Sequence, residues 1–551
     1  MFEEPLLQEN IAAVLWRNLR FYWGYNDYGL WFLLTAAFLY ACYLLIKKGS
    51  TAVYPGMFPP AAAAQKSSWA SRGFLAAACL AYAVVLYLLE TTLFANSDLM
   101  GPNTTRSFLQ GMAPLFGQNG RLSPIAFFDV NMLYTFSHNY KLLNLYILLQ
   151  LGLIVGLLYK FLDWYPASRR LWLCGIIVLL PSFFWVNSLV FPERLMLIFM
   201  LLGFIRLRNY SRDGRFSDLG GFVLWMNLAL YCKESVILIY AGFFVFLLLW
   251  DVWREKITLS SFLHPWRSCR ALPLESLMLV SLLIYALFYL VKVSGFTQSG
   301  YMVLRQGELT HLLQLYKTEL LIIVLAAVMV LQRFCRQRAS IFEGALLAGV
   351  LLNAAFLVFF LRLCPFSYFV EAKSYYLLPA AFFALPLCFS NWPRRLFAVA
   401  VLGLVLWSLC ENVRLYRREA GWYYRDVAEF LAPRLKEKDP AVIYISAHSE
   451  AEKWWFSSWA SAYKYYFPHQ KIIFASDLYW NKRDLNTLLH LQIYASQPAV
   501  FHPVHPQEHP ESGNFYVIKK IPDTVPDRKQ LQRFPNRLLH ENKLFEVYEI
   551  L

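Results

Sequence analysis

Two carboxylates raise the first chemical question. In LYLLETTLFANSDLMGPNTTRSF (residues 86–108) a membrane-grade apolar run carries Glu90 near its end, then breaks at Asn96-Ser97-Asp98. Carboxylates in or beside a bilayer are expensive, so such positions are functional candidates by default. The plain alternative is that Asp98 caps the segment that follows. The two acids are not a prebuilt pair: eight residues of continued helix would set them roughly 12 Å apart along the axis and about 80° around it. Paired-carboxylate glycosidase chemistry needs groups about 5–10 Å apart. One exposed aspartate with cations around it suits a single displacement, in which one base activates a nucleophile and cations hold a leaving group whose charge grows.

Other ionisable residues gather at the ends of apolar runs. Glu193-Arg194 stand in FPERLM, Lys233-Glu234 in YCKESVILIY, and Glu371 and Lys373 in FVEAKSYYLLP, with Arg362 just before. The first long polar loop adds Arg106, Arg121, Asp129 and His138, and LRQGELTHLLQLYK adds Arg305, Glu308 and His311. Any one of them alone reads as a snorkelling interfacial residue. Together, acid–base doublets recur in several places and are expected all on one face. A cavity lined by both signs of charge suits an anionic headgroup and a polar acceptor.

The elements that position them are membrane helices. The chain has 551 residues, 58% hydrophobic and 18% aromatic, with mean hydropathy +0.41, which is too apolar for a soluble globule of this size. Apolar blocks of spanning length fall near 29–46, 74–95, 142–162, 171–188, 190–205, 218–232, 235–251, 274–292, 318–332, 341–361, 375–391 and 396–411. That predicts about twelve spans. Alternate loops hold 20 Lys and Arg against 10 in the others, so the richer set is expected in the cytoplasm. Loops 96–141, 292–317 and 362–374 and both termini then face outward. The net charge of +15 is largely this bias. No basic recognition module accompanies it, and nucleic acid is not an expected partner. Residues 1–28 lack the apolar core of a cleavable signal. The nine cysteines form no CxxC pair and read as small buried hydrophobes.

From Asn412 the character changes to an amphipathic helix, a Pro break and short β-branched runs (AVIYI, KIIFAS, PAVFH, NFYVIKKI, LFEVYEI), with helical KRDLNTLLHLQIYA between two of them. Strands alternating with helices predict a small α/β domain. It has no glycine-rich phosphate loop and no nucleophile elbow. His502, His505 and His509 in FHPVHPQEHPESG could hold a metal, but the interleaved prolines favour an extended loop.

The layout resembles the GT-C superfamily of membrane glycosyltransferases, which includes protein O-mannosyltransferases and the lipid A aminoarabinose transferase. FANSDLMGPNTTRSF matches the acidic motif on the first outer loop, GRLSPI (Gly120 to Ile125) is similar to a G-R-x-x-P stretch, CKES resembles a K-E-[ST] turn, and EAKSYYLLP resembles the charged segment opening a late span. The resemblance implies an α-helical polytopic membrane fold of about twelve spans with a small C-terminal α/β domain. Its divisions are an outward N-terminal segment (1–28), a transmembrane glycosyltransferase domain (29–411, outer loop 96–141) and a periplasmic or lumenal α/β domain (412–551).

The activity it implies is transfer of a sugar from a polyprenyl-phosphate donor to a lipid, glycan or protein acceptor. Asp98 would be the catalytic base. Arg106, Arg121, Lys233, Arg305 and Lys373 would be ligands of the donor phosphate, and Glu90, Glu193, Glu234 and Glu371 supporting acids. Relatives often carry adjacent acids, whereas here Asn96-Ser97-Asp98 supplies one. No metal ligand is assigned, and a divalent metal is left as the one cofactor such a site could take. The sequon Asn103-Thr104-Thr105 beside the expected base favours a bacterial source, hence an inner-membrane protein with a periplasmic site. The alternatives are a flippase or transporter for a lipid-linked glycan, which often shows internal repeats not found here, and an O-antigen ligase or polymerase.

Overall fold

The computed structural model describes residues 28–47, most of 54–89, positions 125, 129 and 133, and residues 140–188, 193–233, 235–254, 269–292, 316–360, 377–389 and 392–419, with isolated neighbours and parts of 426–551. Each apolar block of the sequence is met by helix. In chain order these are α1 (Tyr28–Lys47), α2 (Trp69–Leu89), α3 (Tyr140–Phe161), α4 (Ala167–Leu179), α5 (Pro181–Ser188), α6 (Glu193–Asp213) and α7 (Phe216–Cys232). The series continues with α8 (Val236–Trp253), α9 (Pro273–Lys292), α10 (Lys317–Cys335), α11 (Ile341–Ala355), α12 (Leu378–Cys388) and α13 (Arg394–Glu419). The block at 171–188 is two helices because Pro181 has no N–H to donate and pushes the residue before it out of the helical region; Leu180 sits at φ −55°, ψ 130°.

Among the described residues, seven helices are long and apolar enough, by length and composition, to cross a membrane: α2, α3, α8, α9, α10, α11 with the π-turn Phe356–Phe360 that extends it, and α13. Leu33–Lys47 of α1, α7 and α12 are shorter apolar stretches, and α6 carries arginines along its last turns. The helices share one interior that runs from Ile46 to Val401. Outward-facing leucines and valines such as Leu149, Leu283, Val328 and Leu402 are exposed, as lipid-facing positions are.

Close approaches fix the packing. A Cβ on Gly349 of α11 would lie 2.3 Å from the Ile239 carbonyl oxygen of α8, and one on Gly242 would lie 2.6 Å from the Gly349 Cα. With no hydrophobic drive between helices in lipid, such small-residue contacts supply much of the association through van der Waals packing. The α6–α7 turn is tight because Gly214 takes φ +68°. A capping box, Ser340 with Glu343, starts α11.

The C-terminal part builds a six-stranded sheet in the order β3-β2-β1-β4-β6-β5. β1 (Ala441–Ile445), β2 (Ile472–Ala475), β3 (Val500–His502) and β4 (Phe515–Lys519) pair in parallel, while β5 (Asn536–Glu541) and β6 (Phe545–Ile550) add antiparallel. Asp426 accepts from Asn542 Nδ2 at 2.9 Å and lies 2.6 Å from His540 Nε2. The segment around 426–434 is thereby tied to the β5–β6 hairpin. KRDLNTLLHLQIYA, His505 and His509 lie outside the described residues, and His502 is described only as part of β3.

Candidate functional site

The α6 helix begins at Glu193, whose carboxylate in the first turn complements the helix dipole. The α7 helix ends at Cys232. Lys233 leaves it in extended conformation (φ −153°, ψ 125°) while its N–H still donates to the Ala229 carbonyl. The turn into α8 is closed by Val236 N–H donating to the Lys233 carbonyl at 3.2 Å. It is held from a third helix by Asn353 of α11, whose Nδ2 donates to the Ser235 carbonyl at 3.0 Å. This geometry aims Lys233 inward. Its Nζ lies 3.1 Å from Glu193 Oε1, and both side chains are buried.

A second polar chain starts one residue along α6. Arg194 is 1% exposed, and its Nε donates to Gln150 Oε1 of α3 at 2.7 Å. Gln150 Nε2 in turn donates to Asp129 Oδ2 at 2.6 Å and to the Tyr146 hydroxyl at 2.9 Å. Tyr146, four residues earlier on the same helix face, donates to the same Asp129 oxygen at 2.8 Å. Tyr82 of α2 lies within electrostatic range of Arg194. Among the described residues, the Tyr82 hydroxyl and both ends of the buried Asn144 amide have no hydrogen-bond partner. Buried polar groups seldom stay unpaired, so each asks for a water or a ligand.

The first long connection meets this end of the bundle at its described positions. Ile125 N–H donates to the Tyr231 carbonyl at 3.1 Å, which brings the end of GRLSPI against the start of the CKES turn. Asp129 enters the network above, and Leu133 packs on the apolar interior.

Of the residues singled out in the sequence, Lys233 and Glu193 are thus brought into contact, and Arg194 and Asp129 belong to one chain of hydrogen bonds. Asp98, Glu90, Arg106, Arg121, Glu234, Arg305, Glu371 and Lys373 lie outside the described residues. Gln150 and Tyr146 escaped notice because neither is charged; the available signal was a glutamine inside a membrane span with a tyrosine one turn before it. Among the described residues, no group of three or more His, Cys, Asp or Glu side chains comes together.

Ionic contacts are not confined to the end that holds Glu193 and Lys233. At the opposite end of the bundle Asp163 lies 3.1 Å from Arg208 and 2.5 Å from Arg212. Arg206 pairs with Asp218 at 2.8 Å, and Arg333 pairs with Glu343. Buried Glu275 accepts from the Tyr54 hydroxyl at 2.5 Å beside Asp251. The sequence conceals these contacts because each joins residues on different helices or connections.

Compared with solved structures, the chain is similar to ArnT from Cupriavidus metallidurans bound to undecaprenyl phosphate, with 15% identity and a TM-score of 0.47 over 88% of this chain and 98% of that one. For the apo state of the same protein the values are 13% and 0.48, over 87% and 98%. No family model and no curated protein matches the chain.

Proposed function

We propose that the chain is an integral membrane glycosyltransferase that moves a sugar from a polyprenyl-phosphate donor to an acceptor by single displacement. The observation that carries this reading is the buried Lys233–Glu193 pair, at the end of the bundle that also receives the first long connection. A lysine paired at 3.1 Å with a carboxylate in an apolar interior can exchange that partner for another anion. An arriving phosphate is such an anion, and the chemistry gives it reason to stay. Asp98 takes the proton from the acceptor hydroxyl, whose oxygen attacks the anomeric carbon. The bond from that carbon to the phosphate oxygen breaks, and its electrons leave with the polyprenyl phosphate, which gains one negative charge. Lys233, with Arg106, Arg121, Arg305 and Lys373, meets that added charge, and this is how preorganised cations lower such a barrier. Glu90, Glu193, Glu234 and Glu371 hold the cations in place. One displacement inverts the anomeric configuration.

The proposed setting is a bacterial inner membrane with the site and the C-terminal domain on the periplasmic side, as the Lys and Arg distribution favours. The acceptor is a lipid, glycan or protein. One observation favours a second reading, a transporter of lipid-linked glycan: ionic clusters occupy both ends of the bundle, as access from both faces would require. The test is release of polyprenyl phosphate from a panel of polyprenyl-phosphate sugars by purified protein, compared with Asp98→Asn. Release by wild type and none by the folded variant supports transfer. Silence from both, with lipid-linked sugar crossing proteoliposome membranes, supports transport instead.

A further inference from the structure

Gln150, with the Tyr146 hydroxyl beside it, is the neutral link between Asp129 and Arg194, and Glu193 with Lys233 stands at the adjacent position of α6. The orientation of Gln150 is not free. A guanidinium only donates and a carboxylate only accepts, so the amide oxygen must face Arg194 and the amide nitrogen must face Asp129. Both ends are used, at 2.7 and 2.6 Å, by a side chain that is 5% exposed. Neither glutamate nor methionine, of similar shape, could make both contacts.

The partners belong to different parts of the molecule. Arg194 is in the first turn of α6, adjacent to the residue that holds Lys233. Asp129 is on the long connection whose sequence opens with Asp98. Ile125 and Leu133 anchor the same connection on either side of Asp129, one through the Tyr231 carbonyl and the other through apolar packing. The middle anchor is the polar one, and its strength depends on the amide of Gln150.

We propose that Gln150 is a positioning residue that ties the connection at Asp129 to the first turn of α6, so that Asp129 and the Glu193–Lys233 cation pair keep a fixed separation. The consequence for donor binding rests on the transfer reading; the tie itself does not. A glutamate at this position keeps the acceptor for Arg194 but can no longer donate, and its carboxylate repels Asp129. Exchanging the two groups, with asparagine at 129 and glutamate at 150, restores one donor facing one acceptor and keeps one carboxylate in the network. A role in stability alone gives no reason for the exchange to repair anything.

The experiment measures two quantities on full-length protein in detergent: amide hydrogen exchange over peptides spanning residues 125–133, and half-saturation by undecaprenyl phosphate. Gln150→Glu should speed exchange and raise the half-saturating concentration by about tenfold each, the scale of one lost charge-assisted hydrogen bond. The double variant Gln150→Glu with Asp129→Asn should return both to within about threefold of wild type, as coupled neighbours do in a double-mutant cycle. If Gln150→Glu does not fold, Asp129→Ala, made on the connection rather than on a helix, should free the same peptides. Unchanged exchange in Gln150→Glu, or in Asp129→Ala where that variant stands in, overturns the proposal, as does a double variant no slower than the single one. If wild type binds no polyprenyl phosphate while exchange follows the expected pattern, the transfer reading falls and the tie stands.

Discussion

The two ends of the helix bundle use the same residue types for different work. At the end holding Asp163, basic side chains finish on backbone carbonyls as well as on carboxylates. Arg208 donates to the Lys160 and Phe161 carbonyls, Arg170 to those of Tyr165 and Asp163, Arg169 to that of Trp392, and Arg333 to that of Arg338. The last carbonyls of α3 have no partner within their own helix, and a cation there meets both that need and the dipole. At the other end, the described contacts of Arg194 and Lys233 are to side chains, Gln150 and Glu193. A carbonyl at a helix terminus cannot leave without unwinding the helix. A side chain can be exchanged for a ligand. The first end thus adds backbone anchors to its ion pairs, and under the proposed function the second exchanges Glu193 for a phosphate at Lys233.

That contrast is broken or sharpened most strongly at Lys233. Lys233→Met should lower the kcat/KM of transfer by at least about a hundredfold, the scale of one lost charge-stabilising donor. It should also destabilise the protein, because removing one partner of a buried pair costs about 3–5 kcal/mol. Adding Glu193→Gln removes the orphaned charge, so the double variant should recover its thermal midpoint and none of its activity. Recovery of both in a radiolabelled-transfer assay would show that the pair is only architecture.

Next in size is the close crossing of α8 and α11. Gly349→Val places atoms where the Ile239 carbonyl already stands, 2.3 Å from the position of a Cβ. Overpacking of this kind typically costs about 1–3 kcal/mol, and the extra γ-methyls push toward the upper part of that range. The expected readout is a lower detergent-denaturation midpoint, with Gly349→Ala intermediate. Arg208→Met, at the backbone-stapled end, should cost a comparable amount, about 1.5–3 kcal/mol for its charged hydrogen bonds. It should leave kcat/KM of the folded protein within about threefold, since buried Arg208 lies toward the end of α6 opposite the Glu193–Lys233 pair. A hundredfold loss of kcat/KM in folded Arg208→Met would erase the distinction between the ends.

How far the sequence reached follows from what is local. Helices over all twelve apolar blocks were legible because hydropathy over a span-length window is a local property. The break within 171–188 was carried by Pro181 but hidden by the apolar residues on both sides. Five strands were readable as β-branched runs. The missed one, Asn536–Glu541, reads NRLLHE, and it is a strand because β6 pairs with it along its length. The charged doublets at 193–194 and 233–234 were visible, yet only the turn geometry of Lys233 and the start of α6 show that they meet. Tyr54 and Glu275 lie 221 residues apart in sequence, and no spacing argument connects them.

The smallest effect concerns that last contact and again separates the ends. Tyr54, on the connection between α1 and α2, donates to Glu275 at 2.5 Å, while Ser211 Oγ donates to the Tyr54 carbonyl at 2.8 Å. Burial, and then the neighbouring Glu275, push the Tyr54 phenol well above its usual value of 10.0. The unfolded chain therefore releases this proton first as pH rises. The stability contributed by the neutral phenol is fully present below about pH 10 and is lost above it, at up to about 1.4 kcal/mol per pH unit. Tyr54→Phe removes the hydrogen bond, worth about 1.5–3 kcal/mol when the acceptor is charged and less when it is neutral, and with it the alkaline loss. Melting curves of wild type and Tyr54→Phe between pH 7 and 11 should start apart and converge above pH 10, with transfer at neutral pH unchanged in the variant. Parallel curves would mean that the phenol ionises as readily in the folded protein as in the unfolded chain. A loss of transfer would mean that the backbone-anchored end also takes part in the chemistry.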